Sequence, residues 1–223
     1  MNYLHHPITE QSFAIIDREF GPHSFSAEEY IVVRRVIHST ADFGFKSLIH
    51  FSPNVIEQAI VALCQKTPII TDVSMVRQGI QTIVRHTFGN PIIVAVEQVD
   101  SPFPGKTRTE SGLLKCLEKY PTGIFVIGNA PTALIALCQT VQLNQYSTPQ
   151  TSSCLQESFH NHPLNPSLVI GAPVGFVAVE QSKATLAQTS LPQIRVNGRK
   201  GGSPVAAAIL NALLILAWER VQK

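Results

Sequence analysis

The sequence predicts a doubly wound α/β fold, and two observations predict it. Short apolar runs rich in β-branched residues recur along the chain, and segments with helical features separate most of them. These runs show no in/out alternation, as expected of strands buried on both faces of a parallel sheet. Composition agrees. Charged residues are 14% of the 223 and hydrophobic residues 44%, where about 25% charged is usual, so much of the surface must be covered. The same figures exclude a disordered or polyelectrolyte chain. A net charge of +2 without a basic stretch excludes a nucleic-acid-binding field. One domain over residues 1–223 is expected, large enough to bury a core without disulfides.

The elements follow in order. Ile8, Phe13, Ile16 and Phe20 recur at three- to five-residue spacing and predict a first helix. Ser26-Ala-Glu-Glu29 is a capping box that opens a second, running through Tyr30, Val33 and Val36 to His38 or Thr40. Strands are expected at Leu48–Phe51, Pro68–Thr71, Ile92–Val96, Gly123–Ile127, Leu168–Ile170 and Gln193–Val196. Helices are expected to begin at Pro53, Thr107, Pro131, Val174 and Pro204. The residues 144–166 break the pattern with prolines and hydroxyls and no apolar period, and read as a long loop insertion. This stretch carries Cys154, His160 and His162, but no second ligand pair, so it reads as solvated loop and not as a metal site.

The cysteines at 64, 116, 138 and 154 form no CxxC and no zinc spacing, so they read as reduced and mostly buried. The N-terminal MNYLHHPITE has no charged region followed by an apolar run. The apolar stretch from Val205 to Trp218 is interrupted by Asn211 and falls short of the roughly 20 residues that cross a bilayer. A cytoplasmic protein without a membrane span is the expectation.

In this fold ligands bind beyond the carboxyl ends of the strands. Four segments there hold suitable chemistry. In Thr71–Gly79, Asp72 either caps the next helix or points into a site. Gly105–Gly112 combines glycine, cations and hydroxyls at a helix start, where free N–H groups favour an anion. Gly128–Leu134 turns sharply through Asn129 into Pro131. Gly198–Ser203 pairs glycines with Arg199 and Lys200, which suits a carboxylate or phosphate. Arg35 and His38 lie three apart and share a helix face. A histidine there serves as a cap or as a proton donor near neutral pH, with Asp42 or a nearby hydroxyl to orient it. GxGxxG, GxSxG and GxxxxGK[ST] are all missing, which argues against dinucleotides, a serine nucleophile and nucleoside triphosphates. The residues alone thus read as an α/β protein that binds a small organic anion and holds a histidine able to act as an acid.

Several stretches also resemble a known family. RRVIHSTADF, TDVSMVRQGI, the TR of GKTRTES, GNAPTAL, GAPVGFVAVEQSK and GRKGGSPVAAAILNAL occur in the order seen in the precorrin-8X methylmutases of cobalamin biosynthesis. The resemblance runs from about Ser12 to Leu213. It implies a flavodoxin-like three-layer α/β/α sandwich with a mostly parallel sheet and extra N-terminal helices. It implies a homodimer whose active sites draw on both subunits. The implied reaction moves a methyl group from C-11 to C-12 of precorrin-8X, or of cobalt-precorrin-8, giving hydrogenobyrinate or cobyrinate. No cofactor is implied; cobalt, where present, belongs to the substrate. His38 falls on the family's catalytic histidine, a hydrogen-bond or proton donor to a ring nitrogen. Ser12, Arg35, Arg108, Asn129, Arg199 and Lys200 are implied to bind the carboxylate-rimmed tetrapyrrole, with hand-over to neighbouring pathway enzymes. Two departures stand out: Ala41 where glycine is more usual, and the length of residues 144–166. A tetrapyrrole carrier of the same fold is the alternative; a nucleotide-binding oxidoreductase is disfavoured by the missing GxGxxG.

Overall fold

The computed structural model describes residues 6–146 and 163–222. Eight α-helices and six strands alternate along them. The helices are α1 (Pro7–Phe20), α2 (Ala27–Thr40), α3 (Val55–Cys64), α4 (Ser74–His86), α5 (Arg108–Lys119), α6 (Pro131–Tyr146), α7 (Val179–Ala187) and α8 (Ser203–Val221). The strands are β1 (Ile49–Phe51), β2 (Ile69–Thr71), β3 (Ile92–Val94), β4 (Ile124–Ile127), β5 (Leu168–Gly171) and β6 (Gln193–Val196).

The strands form one sheet in the order β1-β6-β5-β4-β2-β3. Five are parallel, and β1 runs antiparallel against β6 at the edge. From β2 onward this is the flavodoxin-like order, so the chain reverses its direction of travel between β2 and β4. The loops after β2 and β4 therefore flank a crevice beyond the strand ends.

Burial on both faces is visible residue by residue. Ile124 and Val126 of β4 enter one core, and Phe125 and Ile127 enter the other. The first core lies under α1–α4 and α8, the second under α5, α6 and α7. α8 is the centre of the first layer, packed by α2, α3 and α4. It is long and apolar enough to span a bilayer by composition, but two-thirds of its most apolar window is buried inside the fold. Gly79 lets α4 come close to it, since a Cβ there would lie 2.7 Å from that of Ala207.

The expected capping box at Ser26 is present, with Glu29 answering its backbone N–H. Four expectations need correction. The helix placed at Val174 begins only at Val179, because Gly175 and Ala178 take positive φ of 139° and 59° and keep the chain irregular. The helix placed at Pro53 begins at Val55, after a turn through Asn54 at φ 58°. The run Ile92–Val96 divides into β3 and a 3₁₀ turn at Ala95–Glu97. The expected insertion at 144–166 starts later, since Asn144–Tyr146 still belong to α6. The rest of it, with Cys154, His160 and His162, lies mostly outside the described residues.

Candidate functional site

His38 closes the last turn of α2, and its position is fixed from α1. Its Nδ1 lies 2.8 Å from the Ser12 hydroxyl. The Phe13 ring meets the imidazole edge-on, with centroids 5.3 Å apart. Phe13 in turn carries the Arg34 guanidinium 4.3 Å above its face, and Arg34 pairs with Asp17 at 2.9 Å. Partial burial holds His38 below the ordinary imidazole pKa, and the nearby Arg35 charge adds to this. Arg35 is itself half-buried, and burial followed by repulsion from Arg34 lowers its pKa.

Asp42 does not orient His38; Ser12 fills that role. Asp42 instead accepts from the Gly44 N–H at 2.8 Å and pairs with Lys200 at 2.6 Å. These contacts, the Lys200 ammonium first, hold its carboxyl below the usual range. The pair ties the end of α2 to the loop after β6, and so brings His38 and Lys200 into one neighbourhood. On the same loop Arg199 pairs with Glu180 at 3.2 Å and lies over the Phe176 ring.

That loop crosses closely over its neighbours. Gly201 has φ 153°, and a Cβ there would fall 2.3 Å from the Ala172 carbonyl oxygen. Only glycine fits such an approach. A Cβ on Gly128 would likewise meet the Ser203 Cα at 2.8 Å. The loops after β4, β5 and β6 are thus pressed together at one end of the sheet.

Asn129 follows β4 with its side chain exposed. Its backbone is held by Asp72, at the end of β2. The Asp72 carboxylate is fully buried and accepts from the N–H groups of Asn129 at 2.6 Å, Ala130 at 2.8 Å and Val73 at 2.9 Å. Burial raises its pKa against the opposing pull of those donors. Of the two roles open to Asp72, the structure gives it neither in full. It neither caps the next helix alone nor faces a ligand; it spans the crevice and shapes the turn that carries Asn129.

Arg108 opens α5, with Nε bonded to the Val99 carbonyl at 3.0 Å and the remainder of the guanidinium exposed. The helix start before it is partly occupied by an acid of its own. Thr107 and Glu110 form a capping box, and Lys106 pairs with Glu110 at 2.7 Å. The N–H groups ahead of α6 are taken by Asp72 in the same way. Thr107 and Thr132 hydroxyls, 3.2 Å apart, hold the two helix starts together. Among the described residues no hydrogen bond or ion pair joins Arg108, Asn129 or Arg199 to His38.

Lys183 is a buried cation at this end of the sheet that sequence reasoning passed over. It lies on α7, 2% exposed, and donates to the carbonyls of Gly198 at 2.7 Å and Lys200 at 2.8 Å. Burial pushes its ammonium down to about 8, with Glu180 opposing. The signal was the serine–lysine pair of VEQSK, where a lysine sits on the inner face of a helix.

Exposed apolar side chains occur at the same end of the sheet. Met75, Phe103, Val174, Phe176 and Val177 are exposed, each in a segment that leaves the carboxyl end of a strand. A groove of about 340 Å³ lies at the opposite end, against α3 and the residues preceding β4, β5 and β6, and holds none of the site residues. No group of three or more His, Cys, Asp or Glu suited to a metal ion occurs among the described residues.

The chain was compared with known proteins. The family model described as precorrin-8X methylmutase matches residues 7–216. A cobalt-precorrin-8 methylmutase of Synechocystis sp. is 46% identical, over 96% of this chain and 97% of its own length. One from Leptospira interrogans is 36% identical, over 97% and 96%. The crystal structure of the precorrin-8X methyl mutase of Thermus thermophilus superposes with a TM-score of 0.80 at 34% identity, over 96% of this chain and 99% of that one.

Proposed function

The chain belongs to the precorrin-8X methylmutase family, an isomerase family, and from that premise we propose that it moves a methyl group from C-11 to C-12 of precorrin-8X or cobalt-precorrin-8. His38 is the acid of this reaction. The observation that carries the reading is the Ser12–His38 contact of 2.8 Å. With the serine hydroxyl donating to Nδ1, the ring keeps its hydrogen on Nε2 and presents it outward. A sigmatropic shift needs no nucleophile. It is assisted by a donor aimed at the ring nitrogen where electron density changes as the methyl migrates.

The surroundings support a tetrapyrrole. A broad apolar macrocycle with a carboxylate rim calls for apolar contacts bordered by cations. The exposed Phe176 ring lies under the Arg199 guanidinium with exposed Val177 next to it in the chain, and Arg35 stands one turn from His38. Arg35, Arg108, Arg199 and Lys200 bind rim carboxylates, bidentate where an arginine is free to turn. Asn129 and Ser12 add polar contacts. The protein supplies no metal or cofactor, and cobalt enters as part of the substrate. The exposed apolar residues at this end fit a homodimer that shares its active sites and passes product to the next pathway enzyme in the cytoplasm.

A visible-absorption time course tests this. Wild type and His38→Ala are each mixed with metal-free precorrin-8X and, separately, with cobalt-precorrin-8. Wild type is expected to convert substrate to the corrin spectrum, while His38→Ala binds without conversion. Wild-type turnover by the variant would remove His38 from the chemistry. A bound, unchanged spectrum with wild type would mark a carrier.

A further inference from the structure

At the starts of α5 and α6 the protein's own acids, Glu110 and Asp72, already take up backbone N–H groups. The loop after β6 differs. Its carbonyls are drawn inward at successive positions: Gly198 and Lys200 accept from Lys183, and Arg199 accepts from the Gly175 N–H at 3.2 Å. In a trans peptide the N–H points opposite to the carbonyl before it, and the described residues hold no cis bond. The N–H groups of Arg199 and Gly201 therefore face away from Lys183. Neither has an acceptor among the described residues.

We propose that Lys183 is a positioning residue for substrate binding: its buried ammonium holds the Gly198 and Lys200 carbonyls inward, so that the N–H groups of Arg199 and Gly201 face outward to receive a rim carboxylate. This rests on reading the loop as part of the macrocycle site. The ammonium itself never meets the ligand. It acts through the peptide planes, and the same tethering sets where the Arg199 and Lys200 side chains begin. An ammonium suits the task because it bridges two carbonyls from beneath with donors alone. Gly201 suits it because the loop must press on the Ala172 carbonyl to bring both acceptors into reach.

The test pairs steady-state kinetics with amide exchange. Lys183→Met keeps the bulk of the side chain and removes the donors. It is expected to raise KM about tenfold or more, the loss of charge-assisted hydrogen bonds, while kcat changes far less because His38 is untouched. Lys183→Arg, which restores a donor, should recover part of the KM. In wild type, bound hydrogenobyrinate should slow exchange of the Arg199 and Gly201 amides. A variant with lower Tm but wild-type KM would show a purely structural lysine and overturn the proposal. If Lys183→Met does not fold, the wild-type exchange decides, and unprotected amides in the bound state overturn it. Failure of wild type to bind the product at all would defeat the tetrapyrrole reading instead, so the two failures are distinct.

Discussion

Arg35 and His38 stand one turn apart on α2, and the cation adds to the effect of burial on the imidazole. Partial burial lowers the His38 pKa first, and the Arg35 charge lowers it further. The ring of the free protein is therefore mostly neutral near pH 7, and any proton it carries is given up readily. A polyanionic ligand offsets the second of these causes, because carboxylates placed against Arg35 cancel its repulsion. Arg35→Met should raise the His38 pKa towards the ordinary value of 6.5, read from the imidazole resonances in an NMR titration. An unchanged or lower value would mean that burial alone governs the ring. The His38–Arg35 pair was legible in the sequence because both sit on one short helical motif. The orienting partner was legible only as a residue type. A hydroxyl was expected nearby, but Ser12 lies 26 residues upstream, and only the packing of α1 on α2 brings it within 2.8 Å. Asp42, four positions from His38, turns instead to Lys200, the stronger partner for an exposed carboxylate.

The turn between β4 and α6 depends on one buried acid in another element. Asp72 gathers N–H groups from both sides of the crevice, and nothing else among the described residues accepts from Asn129 or Ala130. Asp72→Ala would strand those donors in a dry site. Each buried, unpaired donor costs about 1–3 kcal/mol, so a loss of about 3 kcal/mol is expected in urea unfolding. Part of that loss is offset because an ionised carboxylate is itself costly to bury, as the raised Asp72 pKa reflects. Weaker substrate binding should accompany it, since Asn129 loses its fixed backbone. A variant as stable as wild type would show that the turn finds other acceptors. Sequence reading located both partners, TDVSM and GNAPT, without joining them. Their contact spans 57 residues and exists only because β2 and β4 pair in the sheet. The same limit applies to α5. The Thr107–Glu110 box was present in the sequence as T-R-T-E, yet the glycine and cations before it suggested an open anion site. The local carboxylate wins because it is already in place and costs no binding entropy.

The whole fold was legible wherever a strand is buried on both faces. The apolar runs at β2, β4 and β5 can be nothing but central strands, and they fall where expected. Strand order and the antiparallel direction of β1 were not legible, since a three-residue run carries no mark of direction. That edge gives the molecule a second histidine of unusual acidity. His50 of β1 faces Arg195 of β6 in register, and burial followed by the Arg195 charge lowers its pKa. His38 and His50 thus share a direction, and the pH dependence of stability follows from it. Well above pH 6.5 both rings are mostly neutral, folded or unfolded. As the pH falls through 6.5, the unfolded chain takes up protons first, while the folded rings resist down to their lower values. More protons on the unfolded chain means that stability falls with falling pH across that window. The urea midpoint should therefore be lower at about pH 5.5 than at about pH 7.5, before any carboxylate titrates in the unfolded chain. Arg35→Met should shrink the difference, because it returns one of the two rings towards 6.5. A bound carboxylate-rimmed macrocycle should shrink it as well, by the same removal of repulsion, and a neutral ligand should not. A flat midpoint across that range in wild type would mean that neither ring is shifted in the folded protein, by burial or by its neighbouring cation. The electrostatic account of His38 would then fall together with that of His50.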